Sequence, residues 1–252
     1  MTARPRVGLF VTCHVDLMRP RIGFAAIKLL EQAGCDVEVP RTQTCCGQPA
    51  WNSGDNRNAA AIARQVVDAF ERFDYVVAPS GSCAGMIRIH YPEALAGDLE
   101  YSKRATTLAE KTHELVSFLV RNRGMTFVSA SCNSRICYQD SCSSLREMRV
   151  RDEPRQLLAS VYGLELHELH DRDVCCGFGG LFSVKYPEIS ERMADDKITD
   201  AQSTGAEIIA SADLGCLLHL EGRIARRGLA LRTMHIAELL AGCDEQPIRN
   251  RT

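Results

Sequence analysis

The sequence predicts an α/β protein made of two homologous halves, each a βαβαβ-like unit. Three observations carry that expectation. Short apolar runs alternate with amphipathic helical stretches from end to end. One cysteine pattern occurs twice: Cys13, Cys45-Cys46-Gly47 and Cys83 are followed by Cys142, Cys175-Cys176-Gly177 and Cys216, at offsets of 129, 130 and 133 residues. The 252-residue length suits two domains of about 120 residues, each able to bury a core.

In the first half, residues 7–12 read as a strand that delivers Cys13 at its carboxyl end. Ile22, Ala26, Leu29, Leu30 and Ala33 share a helical face that Gly34 stops. Residues 37–39 form a short strand leading to Cys45-Cys46-Gly47. Ile62, Val66, Phe70 and Phe73 make the next helical stripe, Tyr75–Ala78 is a strand ahead of Cys83, and a further helix spans about 108–120. The second half repeats the plan. Residues 135–138 are a strand before Cys142, and Leu157, Leu158 and Val161 mark a helix. An apolar stretch at 164–169 precedes Cys175-Cys176-Gly177, Ile189, Met193 and Ile198 mark another helix, and residues 207–210 are a strand before Cys216. An apolar helix near 236–240 and a polar tail close the chain. The halves are therefore 1–128 and 129–252, joined at 129–135. Ligands of open α/β sheets gather at the carboxyl ends of strands, so each half can bring its sequence-distant cysteines together there.

With 30 basic and 32 acidic residues the net charge is −2, which leaves no electrostatic footprint for nucleic acid or an anionic membrane. The early apolar run at 7–11 is too short for a secretory or membrane-spanning segment, and later ones are broken by charges. The expectation is a cytoplasmic protein without membrane insertion, whose twelve cysteines serve as thiolates rather than disulfide staples.

Thiolates are soft anionic ligands suited to iron–sulfur clusters. A helix amino terminus after each strand favours the anion, and its amides can bond to sulfur. Adjacent cysteines are awkward for one tetrahedral ion but suit two irons of a cluster, and Gly47 and Gly177 permit positive φ beside them. The run of Gly177, Gly179 and Gly180 matches neither a dinucleotide nor a phosphate-binding fingerprint. Singly, each cysteine could be a small buried hydrophobe, and each adjacent pair a vicinal disulfide; the joint recurrence favours ligation. Cys35 and Cys137 read as core, Cys243 as a spare thiol, and Cys132 as ambiguous. A Cys132/Cys137 zinc half-site lacks a matching second half. His219, three residues after Cys216, is a candidate ligand set against a supporting or core role. His14 adjoins Cys13, whereas His90, His113, His167, His170 and His235 have no metal-ligand spacing.

Cys-x31-Cys-Cys-Gly-x35-Cys, repeated, resembles the CCG cysteine-rich domain pair of the heterodisulfide reductase B subunit, a pair of Rossmann-like repeats. Thr44-Cys45-Cys46-Gly47-Gln48-Pro49, Pro79-Ser80-Gly81-Ser82-Cys83 and Cys175-Cys176-Gly177-Phe178-Gly179-Gly180-Leu181-Phe182-Ser183 are similar to the lactate utilization protein A family. That resemblance implies an iron–sulfur electron-transfer subunit of a complex that oxidises L-lactate to pyruvate. It implies two [4Fe-4S] clusters, cubane or noncubane, one held by Cys13, Cys45, Cys46 and Cys83, the other by Cys142, Cys175, Cys176 and Cys216. In the reductase the last cysteine of each repeat opens a Cys-x-x-Cys, whereas here Met86 and His219 stand at the second position. The chain has no close ferredoxin run of cysteines, so a ferredoxin-type iron–sulfur partner is expected, with a further lactate-utilization subunit. If lactate binds this chain, Arg88, His90 and Lys185 near the cysteines are candidates for its carboxylate. The alternatives are an iron–sulfur subunit of a heterodisulfide, glycolate or glycerol-3-phosphate oxidoreductase, and a non-enzymatic zinc-binding structural or sensing protein.

Overall fold

Two four-stranded sheets, parallel throughout, organise the computed structural model of the chain, which describes residues 3–243. The first contains β1 (Arg6–Leu9), β2 (Asp36–Glu38), β3 (Tyr75–Ala78) and β4 (Thr112–Glu114) in the order β2-β1-β3-β4. The second contains β5 (Ser131–Tyr138), β6 (Tyr162–His167), β7 (Ile208–Ser211) and β8 (Arg232–His235) in the order β6-β5-β7-β8. The shared order, with helices between the strands, bears out the α/β reading and the repeat. Central strands are apolar without alternation because helices cover both faces; all four residues of β7 are buried.

Each half has one strand more than the periodicity predicts. The helix expected at 108–120 is a helix at Tyr101–Glu110, then β4, then Leu115–Ser117 continuing as the π-helical Phe118–Asn122. Thr112-His113-Glu114 carries no strand signature of its own, and becomes one by pairing with the buried β3. Its polar atoms are absorbed locally: Thr112 Oγ1 donates to the Leu108 carbonyl at 2.7 Å, and Glu114 accepts the Val116 and Ser117 amides at 3.0 and 2.8 Å. β8 arises in the same way against β7. The helix marked by Ile189 is Pro187–Ser203, but Ile189 itself is 56% exposed. The buried face is Ser190, Ala194, Lys197, Ile198 and Ala201, so Ile198 falls as expected while Ile189 and Met193 lie one position off it. The expected join at 129–135 is mostly strand, because β5 starts at Ser131, with a register shift between Ser131 and Ser134. The expected polar tail lies outside the described residues.

The halves share one core. Val7, Leu9, Leu29, Leu30 and Phe118 of the first pack with Ile136, Leu157, Leu158, Ile236 and Leu240 of the second. Each sheet also has a core of its own, around Phe70 and Tyr91 or around Ile198 and Ile209. Helix pairings across the boundary are reciprocal. Arg21–Gln32 packs on Ile236–Ala241, and the equivalent helix Asp152–Leu158 packs on Leu115–Ser117. The cysteine-bearing helices follow the same rule: Cys13–Met18 meets Leu214–Arg226, and Gly81–Gly85 meets Cys142–Arg146. An approximate two-fold axis therefore runs between the halves, as in an isologous dimer fused into one chain. At the second of these contacts Gly81 is required, since a Cβ there would overlap the Ser144 side chain.

Glu114 gives this core a pH dependence. Full burial raises its carboxyl to about 7, although it accepts amide bonds from Ser117 and Val116. The native state thus holds a proton that the unfolded chain releases between the ordinary carboxylate range and pH 7, so stability falls as pH rises through that window. Glu114→Gln is expected to flatten the stability–pH curve there by up to about 3 kcal/mol. Denaturant midpoints at pH 4.5 and 7.5 check this; parallel curves for both proteins would refute it.

Candidate metal centres

Cys13, Cys83, Cys142 and Cys216 sit where a strand has ended and a helix begins, whereas Cys45-Cys46 and Cys175-Cys176 lie in the loops that follow β2 and β6. Cys13 opens the helix Cys13–Met18, which Thr12 caps by accepting the Val15 amide. Cys83 lies in the first turn of Gly81–Gly85, whose cap Ser80 accepts the Cys83 amide itself at 3.3 Å. The second half uses Ser141 ahead of Cys142 and Asp213 ahead of Cys216. These four caps escape a reading centred on cysteines. They were visible as a Thr or Ser immediately before Cys13 and Cys142, and a Ser or Asp three residues before Cys83 and Cys216.

Cys45-Cys46 and Cys175-Cys176 end in glycines at φ 82° and 88°. That left-handed turn points the Gly47 amide back at Cys45 Sγ, 3.5 Å away, and the Gly177 amide at Cys175 Sγ, 3.4 Å away. The second turn is tighter. A Cβ on Gly177 would lie 2.6 Å from the Ser190 carbonyl oxygen and 2.8 Å from Met193 Cβ, whereas one on Gly47 would meet Ile62 Cγ2 at 3.2 Å. Both alanine variants incur left-handed strain of about 1–2 kcal/mol. Gly177→Ala adds a backbone overlap, so it is expected to lower the melting temperature clearly more than Gly47→Ala; equal losses would contradict this geometry.

Within each half the four thiols influence one another's ionisation in series. Cys13 Sγ stands 4.0 Å from Cys45 Sγ. Hydrogen bonds from the Cys13 and Cys46 thiols, with help from the Gly47 amide, hold Cys45 well below its ordinary value, and its bond to Cys45 pushes Cys13 up. Cys46, bonded to Cys45 and to Cys83, is pushed up as well. Cys142, Cys175 and Cys176 repeat the pattern, with Cys175 held down by its bonds from Cys142 and Cys176, and Cys176 linked on to Cys216. Each half thus arranges one favoured thiolate among thiols that donate to it. Ionising the rest requires a concentrated positive charge between them. Among the described residues no group of three or more His, Cys, Asp or Glu side chains closes on a single ion. An all-sulfur donor set spaced sulfur to sulfur fits separate irons of a sulfide-bridged cluster.

A cavity of about 70 Å³ opens beside the first set. Cys13, Cys45, Cys46 and Cys83 line it from one side, and Phe178, Asp213, Leu214 and Gly215 close it from the other half. His14 lines it too, edge-on to Phe178 with ring centroids 6.0 Å apart. Tyr91, fully buried, donates to the Cys46 carbonyl at 2.9 Å. Met86 is buried in the apolar core. His219 faces Ser190, 3.2 Å from its Oγ, and Ser190 in turn donates to the Gly177 carbonyl at 2.7 Å, so the pair braces that turn.

The lactate candidates do not assemble. Arg88 donates to the Thr112 carbonyl at 2.8 Å, His90 stacks on Trp51 at 5.5 Å, and Lys185 is exposed on the short helix Leu181–Lys185; none lines the cavity. Cys35 and Cys137 are fully buried in the core, as expected. The reading of Cys243 as a spare thiol is corrected and the ambiguous Cys132 is placed, since the two form a disulfide across 111 residues. The extended start of β5 and the end of the last helix converge there, which sequence distance conceals. That pairing also removes Cys132 from any zinc half-site with Cys137.

The model of the cysteine-rich domain, CCG, matches the chain twice, over residues 7–88 and 136–221. Lactate utilization protein A of Geobacillus kaustophilus is 48% identical over 93% of this chain and 98% of that protein. The chain belongs to the lactate utilization protein A family. The protein of that name from Bacillus subtilis is 43% identical over the same shares of both chains. A crystal structure of a hypothetical protein from Helicobacter pylori has the same fold, with a TM-score of 0.66 at 9% identity over 98% of this chain and 52% of that one. All eight cysteines of the two sets fall inside the two matched segments, whereas Cys132 and Cys243 fall outside them. For this member of the lactate utilization protein A family, the cysteine sets are therefore the repeated part and the disulfide an addition to it.

Proposed function

We propose that the chain is the iron–sulfur electron-transfer subunit of a cytoplasmic complex that oxidises L-lactate to pyruvate. The duplicated set of four cysteines, within the twice-matched cysteine-rich domain of a chain of the lactate utilization protein A family, carries this reading. Cys13, Cys45, Cys46 and Cys83 would hold one [4Fe-4S] cluster, and Cys142, Cys175, Cys176 and Cys216 the other, in repeats assigned to 1–128 and 129–252. When bound, such clusters supply one-electron redox chemistry. The residues of the chain do the rest. Helix amino termini and the Gly47 and Gly177 amides direct partial positive charge at sulfur, stabilising thiolate. Burial of Cys46, Cys83, Cys176 and Cys216 keeps water from the inner sulfurs. A ferredoxin-type iron–sulfur partner would pass electrons onward, and a further lactate-utilization subunit would complete the complex. No helix in the described residues is long and apolar enough to cross a membrane.

Anaerobic purification followed by iron, acid-labile sulfide and zinc analysis tests the reading. Iron and sulfide near about eight each per chain are expected for two four-iron clusters. Zinc without sulfide would overturn it. Deleting the gene should abolish growth on L-lactate and spare growth on pyruvate; unimpaired lactate growth would sink the assignment to lactate oxidation.

A further inference from the structure

Ser80 and Asp213 occupy the same place in the two repeats, 133 residues apart, as do Cys83 and Cys216. Each caps the helix that carries its cysteine, and the approximate two-fold axis brings the two caps into contact. Ser80 Oγ donates to Asp213 Oδ2 at 3.2 Å. The Ser82 amide, in the first turn of the Cys83 helix, reaches the same oxygen at 3.2 Å. Asp213 Oδ1 accepts the Gly215 amide, the equivalent position of the Cys216 helix, also at 3.2 Å. One carboxylate therefore caps both helices, one oxygen to each. It is buried, 5% exposed, and forms part of the wall of the cavity beside Cys13, Cys45, Cys46 and Cys83. Two serines here would keep the caps alike and neutral; the chain instead places one negative charge at the point common to both cysteine sets.

We propose that Asp213 is a positioning residue shared by both cysteine centres, whose single buried carboxylate lowers the reduction potential of the two together. This rests on the iron–sulfur reading above. A negative charge in a low-dielectric wall disfavours the more negative, reduced state of any centre nearby. Its three donors orient the carboxylate without cancelling its charge, and they lock the Cys83 and Cys216 helices against each other.

Asp213→Asn keeps the shape and removes the charge. Redox titrations of anaerobic protein, followed by EPR, should show both midpoints displaced upward in D213N, with iron content at the wild-type level. A purely structural cap would lower the melting temperature and leave the midpoints in place. The exchange S80D/D213S moves the carboxylate to the equivalent position, and both midpoints should then return toward wild type. Midpoints unmoved in iron-loaded D213N, or movement of one centre alone, would overturn the proposal. Should D213N fail to fold, D213S, which places the serine of the first repeat at both positions, decides in its place: both midpoints displaced upward support the shared charge, and unmoved midpoints or a shift of one centre alone refute it. Wild-type protein without iron and sulfide would sink the iron–sulfur reading and this inference with it, whereas unmoved midpoints sink the inference only.

Discussion

Cys46→Ala should halve the iron bound by the anaerobically prepared protein, from about eight to about four atoms per chain, and erase one of two EPR signals. Cys46 is the member of the first set whose thiol is pushed up by both Cys45 and Cys83. It is only 2% exposed, so no water or neighbouring chain can replace its sulfur without rearrangement. The second series shares no cysteine with the first and has its own glycine turn, so its iron should remain. Alanine fills most of the volume of cysteine, which keeps the packing cost small beside the loss of a ligand. Cys35→Ala is the control, a buried thiol away from both sets, and should leave iron unchanged. Full iron and an unchanged spectrum in Cys46→Ala would remove Cys46 from the ligands.

Arg155→Met should destabilise the protein by about 3–5 kcal/mol, the range for stripping the partner from a buried charge. Arg155 grips Asp140 with two parallel bonds, Nη1 to Oδ1 at 3.0 Å and Nη2 to Oδ2 at 2.7 Å, and also bonds Glu168. It lies over the Tyr138 ring at 5.4 Å. The Asp140 side chain is 2% exposed, so without the guanidinium its charge would remain buried and unpaired. Asp140 stands two residues before Cys142, at the turn leaving β5, so the same change should loosen the second centre and reduce its iron occupancy. Denaturant unfolding of metal-free protein measures the first effect. R155M/D140N should recover most of the loss, since an amide tolerates burial better than an unpaired carboxylate. A single-variant loss below about 1 kcal/mol would place the pair among exposed salt bridges and refute the argument.

The eight cysteines of the two sets and their division into two sets were legible in the sequence because local chemistry repeats at a nearly constant offset. Strand ends, helix starts and the glycine turns are short-range features, and each half forms them in the same order. β4 and β8 were not legible. Thr112-His113-Glu114 and Arg232–His235 have little strand character, and their extended form comes from pairing with β3 and β7. The buried face of Pro187–Ser203 was placed correctly at Ile198 but one position off at Ile189 and Met193, and Lys197 and Ser190 go inward once their polar atoms find the Asp171 and Gly177 carbonyls.

Contacts between residues far apart in sequence follow a different logic. The Cys132–Cys243 disulfide, the closure of the first cavity by Phe178 and Asp213, and the meeting of Ser80 with Asp213 all depend on how one half lies against the other. No periodicity encodes that relation, because it results from burying the remaining apolar faces of both sheets in a common core. The residue types of each cysteine set could be read directly from the chain. Their placement on either side of a shared carboxylate follows from the approximate two-fold axis, which exists only once the halves have packed.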